Sequence, residues 1–227
     1  MSRRRLSRAL IALAVPALTV PAATSAATSA ATAAGAARVP TIDQVAAIWT
    51  HVEGGSAHTS TGKVFGPGKK CKQGKAIKGA SATSATYSPD YTSGDPDVFE
   101  ITGETPMLSV TAMRFPTKKA ATAYLRGYGK SAKDCPGVGS GGGGGTGAMA
   151  CDIDMKKIAF TLGDERWGYQ YKMKCTRAGQ TTRSVFNSLF AREGKFIVYA
   201  NVMSMDASAP SIPTSVDLTE LAMEAVS

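Results

Sequence analysis

The stretch RWGYQYKMKC, residues 166–175, alternates strictly between two kinds of side chain. One set is aromatic or sulfur-containing and consists of Trp167, Tyr169, Tyr171, Met173 and Cys175. The other set is mostly polar and consists of Arg166, Gly168, Gln170, Lys172 and Lys174. A period of two residues is typical of a β-strand that buries one of its faces. The stretch therefore predicts a half-buried strand with its aromatic row on one face.

The segments around this strand predict an antiparallel sheet. Apolar runs that are separated by short, glycine-containing turns are typical of β-hairpins. The turn signals are Gly163-Asp164, between KKIAFTL and the stretch 166–175, then Ala178-Gly179 after that stretch, and Glu193-Gly194 further on. The other predicted strands are MLSVTAMRF (107–115), KKIAFTL (156–162), TRSVFNSLFAR (182–192) and FIVYANVMSM (196–205).

Three amphipathic segments predict helices. In PTIDQVAAIWTHVEGG (40–55), Thr41 and Gln44 form a capping-box pattern. TKKAATAYLRGYGKSAKDC (117–135) carries an apolar stripe, and a last helix is predicted to start near Ser215. Residues 56–95 are poor in apolar side chains, so we expect loops with short strands there, and a first clear strand at 97–102. Hairpin-linked strands with helices packed to one side predict an α+β fold, an antiparallel sheet packed against helices.

The N-terminal residues predict an exported protein. Residues 1–36 combine a basic start, a short apolar core and an Ala/Thr-rich tail, which is typical of a secretory signal peptide followed by a low-complexity tail. Residues 39–227 are then expected to form a single secreted domain without stable membrane insertion. Removal of the leader leaves 22 basic and 17 acidic residues, a mild excess that does not favour nucleic acid as the partner.

Four cysteines are expected to form two disulfides, because an even number in an exported chain is typical of a disulfide framework. Spacing argues against a metal site, since there is no C-x2-C pair and neither His51 nor His58 lies near a cysteine. The run CPGVGSGGGGGTGAMAC (135–151) lacks the strand before it and the Lys-Ser/Thr after it that a phosphate-binding loop requires. We therefore predict a flexible spacer and no cofactor.

Three groups of residues are candidates for a functional site. The row Trp167, Tyr169 and Tyr171 either lines a ligand cleft or packs against helices. A lysine-rich segment that includes Lys69 and Lys70 either attracts anionic envelope polymers and lipid head groups or is a solvated loop. The adjacent acids Asp164 and Glu165 either form a catalytic pair or cap a turn. Ser60-Thr-Gly-Lys63 matches the S-x-x-K motif of serine penicillin-binding enzymes, but the S-D-N and K-T-G motifs that accompany it are absent, so we interpret it as a chance match. No G-x-S-x-G motif is present.

The order of several short segments resembles a known family. They are FPTKKAA (115–121), the pair Asp134-Cys135, LGDE (162–165) and EGKFIVY (193–199). Together they are similar to the PknH-like extracellular sensor domains of actinobacteria, which occur in a mycobacterial serine/threonine kinase and in related secreted proteins and lipoproteins. The resemblance implies an α+β domain with a cleft, the disulfides Cys71–Cys135 and Cys151–Cys175, and ligand binding without catalysis.

The sequence therefore predicts a secreted, disulfide-stabilised, non-catalytic binding domain of the cell envelope. Its ligand is a small molecule, lipid or polymer that the sequence does not identify. Two alternatives stay open: a secreted hydrolase that acts on cell-wall material, and an extracellular protein-binding or inhibitor module.

Overall fold

Seven strands form one antiparallel sheet in the computed structural model, which describes residues 37–68, 73–93, 100–134, 150–177 and 179–226. Along the sheet the order is β1-β2-β3-β7-β6-β5-β4, and all neighbours are antiparallel. The strands are β1 (Ser56–Pro67), β2 (Gln73–Ser88), β3 (Met107–Arg114), β4 (Ala150–Ile158), β5 (Glu165–Arg177), β6 (Gln180–Glu193) and β7 (Phe196–Ser204). The predicted α+β class and antiparallel sheet are confirmed.

Helices cover both faces of this sheet, so the prediction that they pack to one side is wrong. They are α1 (Ile42–Ala46), α2 (Lys118–Asp134) and α3 (Ile212–Glu224), with short 3-10 turns at Thr50–Val52 and Tyr91–Ser93. Residues of α1 and α3 share one core cluster with Val198 and Ala200 of β7, whereas α2 shares the other with Ile197. The central strand β7 is apolar on both faces, and each face must therefore be covered.

The first and last helices begin at specific caps. Thr41 accepts a hydrogen bond from the Gln44 backbone N–H, and the Gln44 side chain accepts one from the Thr41 N–H, which confirms the capping box. The helix is shorter than predicted and is followed by a 3-10 turn, but Val45 and Val52 are fully buried. The last helix begins after Ser211 rather than near Ser215.

A buried amide fixes the start of α3 on the sheet. The Asn187 side chain of β6 donates to the Pro210 carbonyl oxygen at 3.1 Å and to the Ser215 hydroxyl at 3.0 Å. Its own side-chain oxygen accepts a hydrogen bond from Gln170 of β5 at 3.0 Å. Because a buried polar group is costly unless it is hydrogen-bonded, this network gives α3 one preferred position over β6 and β7.

The longest hairpin of the sheet lies where loops are predicted. Strands β1 and β2 pair regularly from Ser56 with Ser88 to Lys63 with Ser81 and then, after register shifts, as far as Pro67 with Gln73. Strand β2 also pairs with β3. Both strands are rich in Ser, Thr and Ala, and most residues of β1 are exposed. The sequence lacks an apolar signal here because β1 is an edge strand, which its backbone hydrogen bonds and β-branched threonines stabilise. Residues 100–102 are not in a strand.

One disulfide lies in the described part of the chain. Cys151 and Cys175 are directly opposite on β4 and β5, with an S–S distance of 2.09 Å, so this bond is confirmed. The predicted bond between Cys71 and Cys135 lies outside the described residues. Also outside them are the leader (1–36), Lys69 and Lys70, the glycine-rich spacer (135–149) and residues 97–99.

Two glycines of α2 differ in what surrounds them. A β-carbon at Gly127 would lie 3.1 Å from the Pro67 ring, whereas one at Gly129 would lie 3.4 Å from the Trp167 indole nitrogen. The first distance is a crowded contact and the second is close to an ordinary one. Glycine inside a helix costs about 1 kcal/mol relative to alanine.

We therefore expect Gly129→Ala to raise the free energy of unfolding by about 0.5–1 kcal/mol, because it improves helix propensity without a severe clash. Gly127→Ala is the matched control, and it should give a smaller gain or a loss. Urea denaturation followed by circular dichroism measures both. Equal gains from the two variants would contradict the packing described for Gly127.

Candidate functional site

The acids Asp164 and Glu165 are tied to a buried arginine. Arg192 of β6 is only 5% exposed, and its guanidinium lies 2.9 Å from the Asp164 carboxylate and 3.6 Å from that of Glu165. It also donates to the Gly194 carbonyl oxygen at 3.0 Å. Lys118 of α2 forms a further ion pair with Asp164 at 3.2 Å, and Arg126 of α2 forms one with Glu165 at 2.8 Å. The two acids thus connect α2, β6 and the turn before β5.

Gly163 allows this turn to approach β6. Its φ angle is +61°, which favours glycine, and a β-carbon there would lie 2.5 Å from the Arg192 carbonyl oxygen. The Asp164 backbone N–H donates to that same oxygen at 2.7 Å. The LGDE segment is therefore a structural turn in which the glycine provides space and the acids provide ion pairs.

The Asp164 carboxylate is stabilised in its charged form. Hydrogen bonds from Lys118, from the Gly194 backbone N–H and from Arg192 hold the pKa of Asp164 below its ordinary value. A general acid needs a raised pKa near neutral pH, and a pair of catalytic carboxylates must be free to meet a substrate. The environment of Asp164 therefore does not favour it as a general acid.

The aromatic row of β5 extends along the face that carries α2. Trp167 stacks on Phe190 with ring centroids 4.3 Å apart and lies 6.3 Å from the ring of Tyr128 on α2. Its indole nitrogen is buried without a hydrogen-bond partner among the described residues. Trp167 is therefore mainly a packing residue beneath α2, and its predicted contact with a ligand stays a prediction.

The two tyrosines lie further along β5. Tyr169 is half-buried, with its ring 5.5 Å from Trp167, and Tyr171 is 6% exposed and stacks on Phe186 at 4.7 Å. Burial raises the pKa of Tyr171 to about 12, so its phenol is neutral at ordinary pH. It can therefore donate a hydrogen bond as well as accept one.

A continuous row of polar side chains crosses all seven strands on this face. Each member is directly opposite the next in the strand register. In spatial order this polar row is His58, Thr86, Ser109, Asn201, Ser188, Tyr169 and Lys157. Six spacings between strands give it a length of about 29 Å. All members except Ser188 are exposed or half-exposed.

The polar row contains hydrogen-bonding groups that are only partly used. The Ser188 hydroxyl donates to the Asn201 side-chain oxygen at 3.3 Å and lies 3.2 Å from the Tyr199 hydroxyl. The Asn201 side-chain nitrogen has no hydrogen-bond partner among the described residues. On one side the row borders rings that pack with α2, such as Phe190. On the other it borders Met107, Met203, Phe186, Tyr171 and Met155, which are in register with one another.

The row was not predicted from the sequence, and its signal there is weak. Asn201 and Ser188 are polar residues within the apolar runs FIVYANVMSM and TRSVFNSLFAR, which is the one local sign of a role other than packing. Their alignment with Thr86, Ser109 and Tyr169 depends on the register of strands that are far apart in the chain. The structure thus places Tyr169 beside partners that the alternation of β5 alone does not identify.

Metal ligands do not cluster in the part of the chain that the structure describes. His51 instead donates from its Nε2 atom to the Pro106 carbonyl oxygen at 2.9 Å, and burial lowers its pKa. No helix among the described residues is long and apolar enough to cross a membrane.

Loss of the Arg192 side chain should strongly destabilise the fold. We expect Arg192→Met to lower the free energy of unfolding by about 2–4 kcal/mol, because the buried guanidinium is the partner that Asp164, Glu165 and the Gly194 carbonyl share. Lys118 and Arg126, which still pair with the two acids, are exposed and compensate little. Arg126→Met is the matched control, since that side chain is 71% exposed and should cost less than about 0.5 kcal/mol. Urea denaturation compares the two, and similar losses would contradict a special role for Arg192.

Comparison with known proteins gives a similarity of structure rather than of sequence. No family model and no curated protein matches the sequence. The chain is similar to the crystal structure of the extracellular domain of PknH from Mycobacterium tuberculosis, with a TM-score of 0.43 and 9% identity over 83% of this chain and 97% of that one. It is also similar to LpqN, described as involved in cell envelope biogenesis of the same organism, with a TM-score of 0.24 and 11% identity over 73% and 82%. The resemblance to PknH-like domains is confirmed as a weak similarity of fold.

Proposed function

We propose that this protein is an exported, non-catalytic binding domain whose ligand lies along the polar row. The observation that carries the proposal is the row itself, in which seven polar side chains align across seven strands. A surface that only needs to be soluble does not require such alignment, and its polar residues are usually scattered among charged ones. Here the interior five members carry hydroxyl or amide groups and no formal charge.

The composition of the row favours a ligand with many hydroxyl or amide groups. Hydroxyls and the Asn201 carboxamide both donate and accept hydrogen bonds, and Tyr169 adds an aromatic face next to them. Binding sites combine a few such polar groups with aromatic and apolar surface, which the neighbouring Phe186 and Met203 provide. The export leader predicted in residues 1–36 would bring this surface to the polymers and lipids of the cell envelope.

A second disulfide between Cys71 and Cys135 is part of the proposal. It would close a long loop and attach the lysine-rich segment to the C-terminal end of α2, with a stabilisation of about 4 kcal/mol on the chain-entropy estimate. Peptide mapping under non-reducing conditions should recover Cys71 and Cys135 in one linked fragment. Recovery of either as a free thiol would contradict this part of the proposal.

Thermal unfolding tests ligand binding with peptidoglycan fragments, teichoic acid and phospholipid vesicles as separate additions. At a hundredfold excess over Kd, a ligand stabilises the folded state by about 2.7 kcal/mol, which should raise Tm by about 5–10 °C. The double variant Tyr169→Ala/Asn201→Ala should lose most of that increase. The proposal fails if no addition raises Tm.

A matched double variant controls for nonspecific effects. Phe65→Ala/Thr61→Ala removes an exposed aromatic ring and an exposed polar group from the edge strand β1, outside the polar row. It should keep the full ligand-induced increase in Tm. If the control variant loses as much of the increase in Tm as Tyr169→Ala/Asn201→Ala does, the ligand does not recognise the polar row. Capture of an envelope protein that depends on Tyr169 and Asn201 would instead indicate a protein-binding module.

A further inference from the structure

A separate cavity of about 430 Å³ lies at the ends of β4, β5 and β6. The charged residues of its lining alternate with the aromatic row along β5, so Lys172 and Lys174 project from the face opposite to Tyr171. Ile153, Met173 and Ser184, at the intervening positions of the three strands, also line the cavity. Ala207, in the connection from β7 to α3, closes one side. The cavity is therefore on the α3-bearing side of the sheet, on the opposite face from the polar row.

Five charged side chains line this cavity, and their signs are separated in space. Two register rows contribute them: Asp152, Lys174 and Arg183 form one, and Asp154, Lys172 and Val185 form the other. The acids lie on the edge strand β4, whereas the three cations lie on β5 and β6. Across the cavity the charge thus changes from negative on the outside to positive on the inside.

None of the five charged side chains has an ion-pair or hydrogen-bond partner among the described residues. The acids Asp164 and Glu165 differ from them, because each forms ion pairs with two cations. Moreover, Lys174 and Arg183 are directly opposite each other on adjacent strands. Like charges in such a position destabilise a sheet. Asp152, directly opposite Lys174 on its other side, offsets only part of this repulsion, and an additional anion over Lys174 and Arg183 would offset the rest.

We propose that this groove binds a small zwitterionic ligand, with its anionic group over Lys172, Lys174 and Arg183 and its ammonium group over Asp152 and Asp154. A purely anionic ligand would meet the two acids, and a purely cationic one would meet the three cations. A ligand with both charges complements each side of the cavity. The buried Val185 at its floor provides apolar contact for the part between the charges.

The spacing of the strands limits the size of this ligand. Adjacent strands are about 4.8 Å apart, so the acids lie about 5 Å from the β5 cations and about 10 Å from the β6 cation, measured between strands. A dipeptide, with its terminal amine and carboxylate, fits this range. A phosphoethanolamine head group has the same pattern of charges, with phosphate in place of carboxylate. The shared chemistry is an ammonium and an oxyanion separated by a short, partly apolar spacer.

Isothermal titration calorimetry on the full mature chain tests the proposal with two zwitterions, alanylalanine and glycerophosphoethanolamine. Each is compared with analogues that carry charge of one sign only: N-acetyl-alanylalanine and alanylalanine amide for the first, and glycerol phosphate for the second. We expect at least one zwitterion to bind about tenfold or more tightly than its analogues, because each charge contributes to binding. Binding of the dipeptide alone indicates a peptide ligand, and binding of the phosphate compound alone indicates a lipid head group.

Substitutions of residues that line the cavity test whether the zwitterion binds there. Lys174→Ser and Asp152→Ser should each weaken binding of that zwitterion about tenfold or more, with Tm little changed, because both side chains are exposed. Lys119→Ser and Glu220→Ser are matched controls, with the same change in charge at exposed positions of α2 and α3. The proposal is overturned if neither zwitterion binds, or if an analogue with charge of one sign binds as tightly as its zwitterion. It is also overturned if the cavity variants and the control variants weaken binding equally.

Discussion

The ion pairs of Arg192 hold together the parts of this fold that the sheet alone does not connect. The guanidinium is buried at the end of β6, and it requires anionic partners because an unpaired buried charge is costly. Asp164 and Glu165 provide them, and the same acids pair with two cations of α2. One buried charge thereby fixes the β4–β5 turn, and the exposed pairs of Lys118 and Arg126 contribute weakly to the position of α2. The apolar cluster that Ala121 and Leu125 share with Phe190 holds α2 on the sheet and determines how much of this face stays exposed.

Strand register then determines what the open face contains. In an antiparallel sheet a shift by one residue would move every side chain to the other face. The register places Ser109, Asn201 and Ser188 in one line beside Tyr169, and it places Lys172 and Lys174 on the reverse side. The cross-strand disulfide Cys151–Cys175 joins directly opposite residues of β4 and β5 and so constrains their register from the far end. The Arg192 cluster constrains the same strand at its start.

Much of this architecture could be predicted from the sequence where apolar residues alternate with polar ones. The strict alternation of β5, the glycine turn before β7 and the capping box of α1 each have a local cause, and each is present in the structure. The hairpin of β1 and β2 was missed because serine and threonine give no apolar period on an edge strand. The polar row was missed for a different reason, since it exists only when seven strands are correctly paired. Arg192 was missed because a single basic residue in an apolar run does not identify its partners.

The two faces of the same strands differ in chemistry in a way that has a physical cause. Residues of the polar row lie beside aromatic rings and α2, in a setting of low polarity where an unpaired charge would be costly, and its interior members are neutral. On the other face, the acids Asp152 and Asp154 of β4 lie opposite the lysines of β5. They are close to the ends of these strands, where most side chains are exposed to water. The first surface is neutral and rich in hydroxyl groups, and the second carries charges of both signs. Because alternate residues of β5 contribute to both, the period of two in RWGYQYKMKC underlies two surfaces of different chemistry on one sheet.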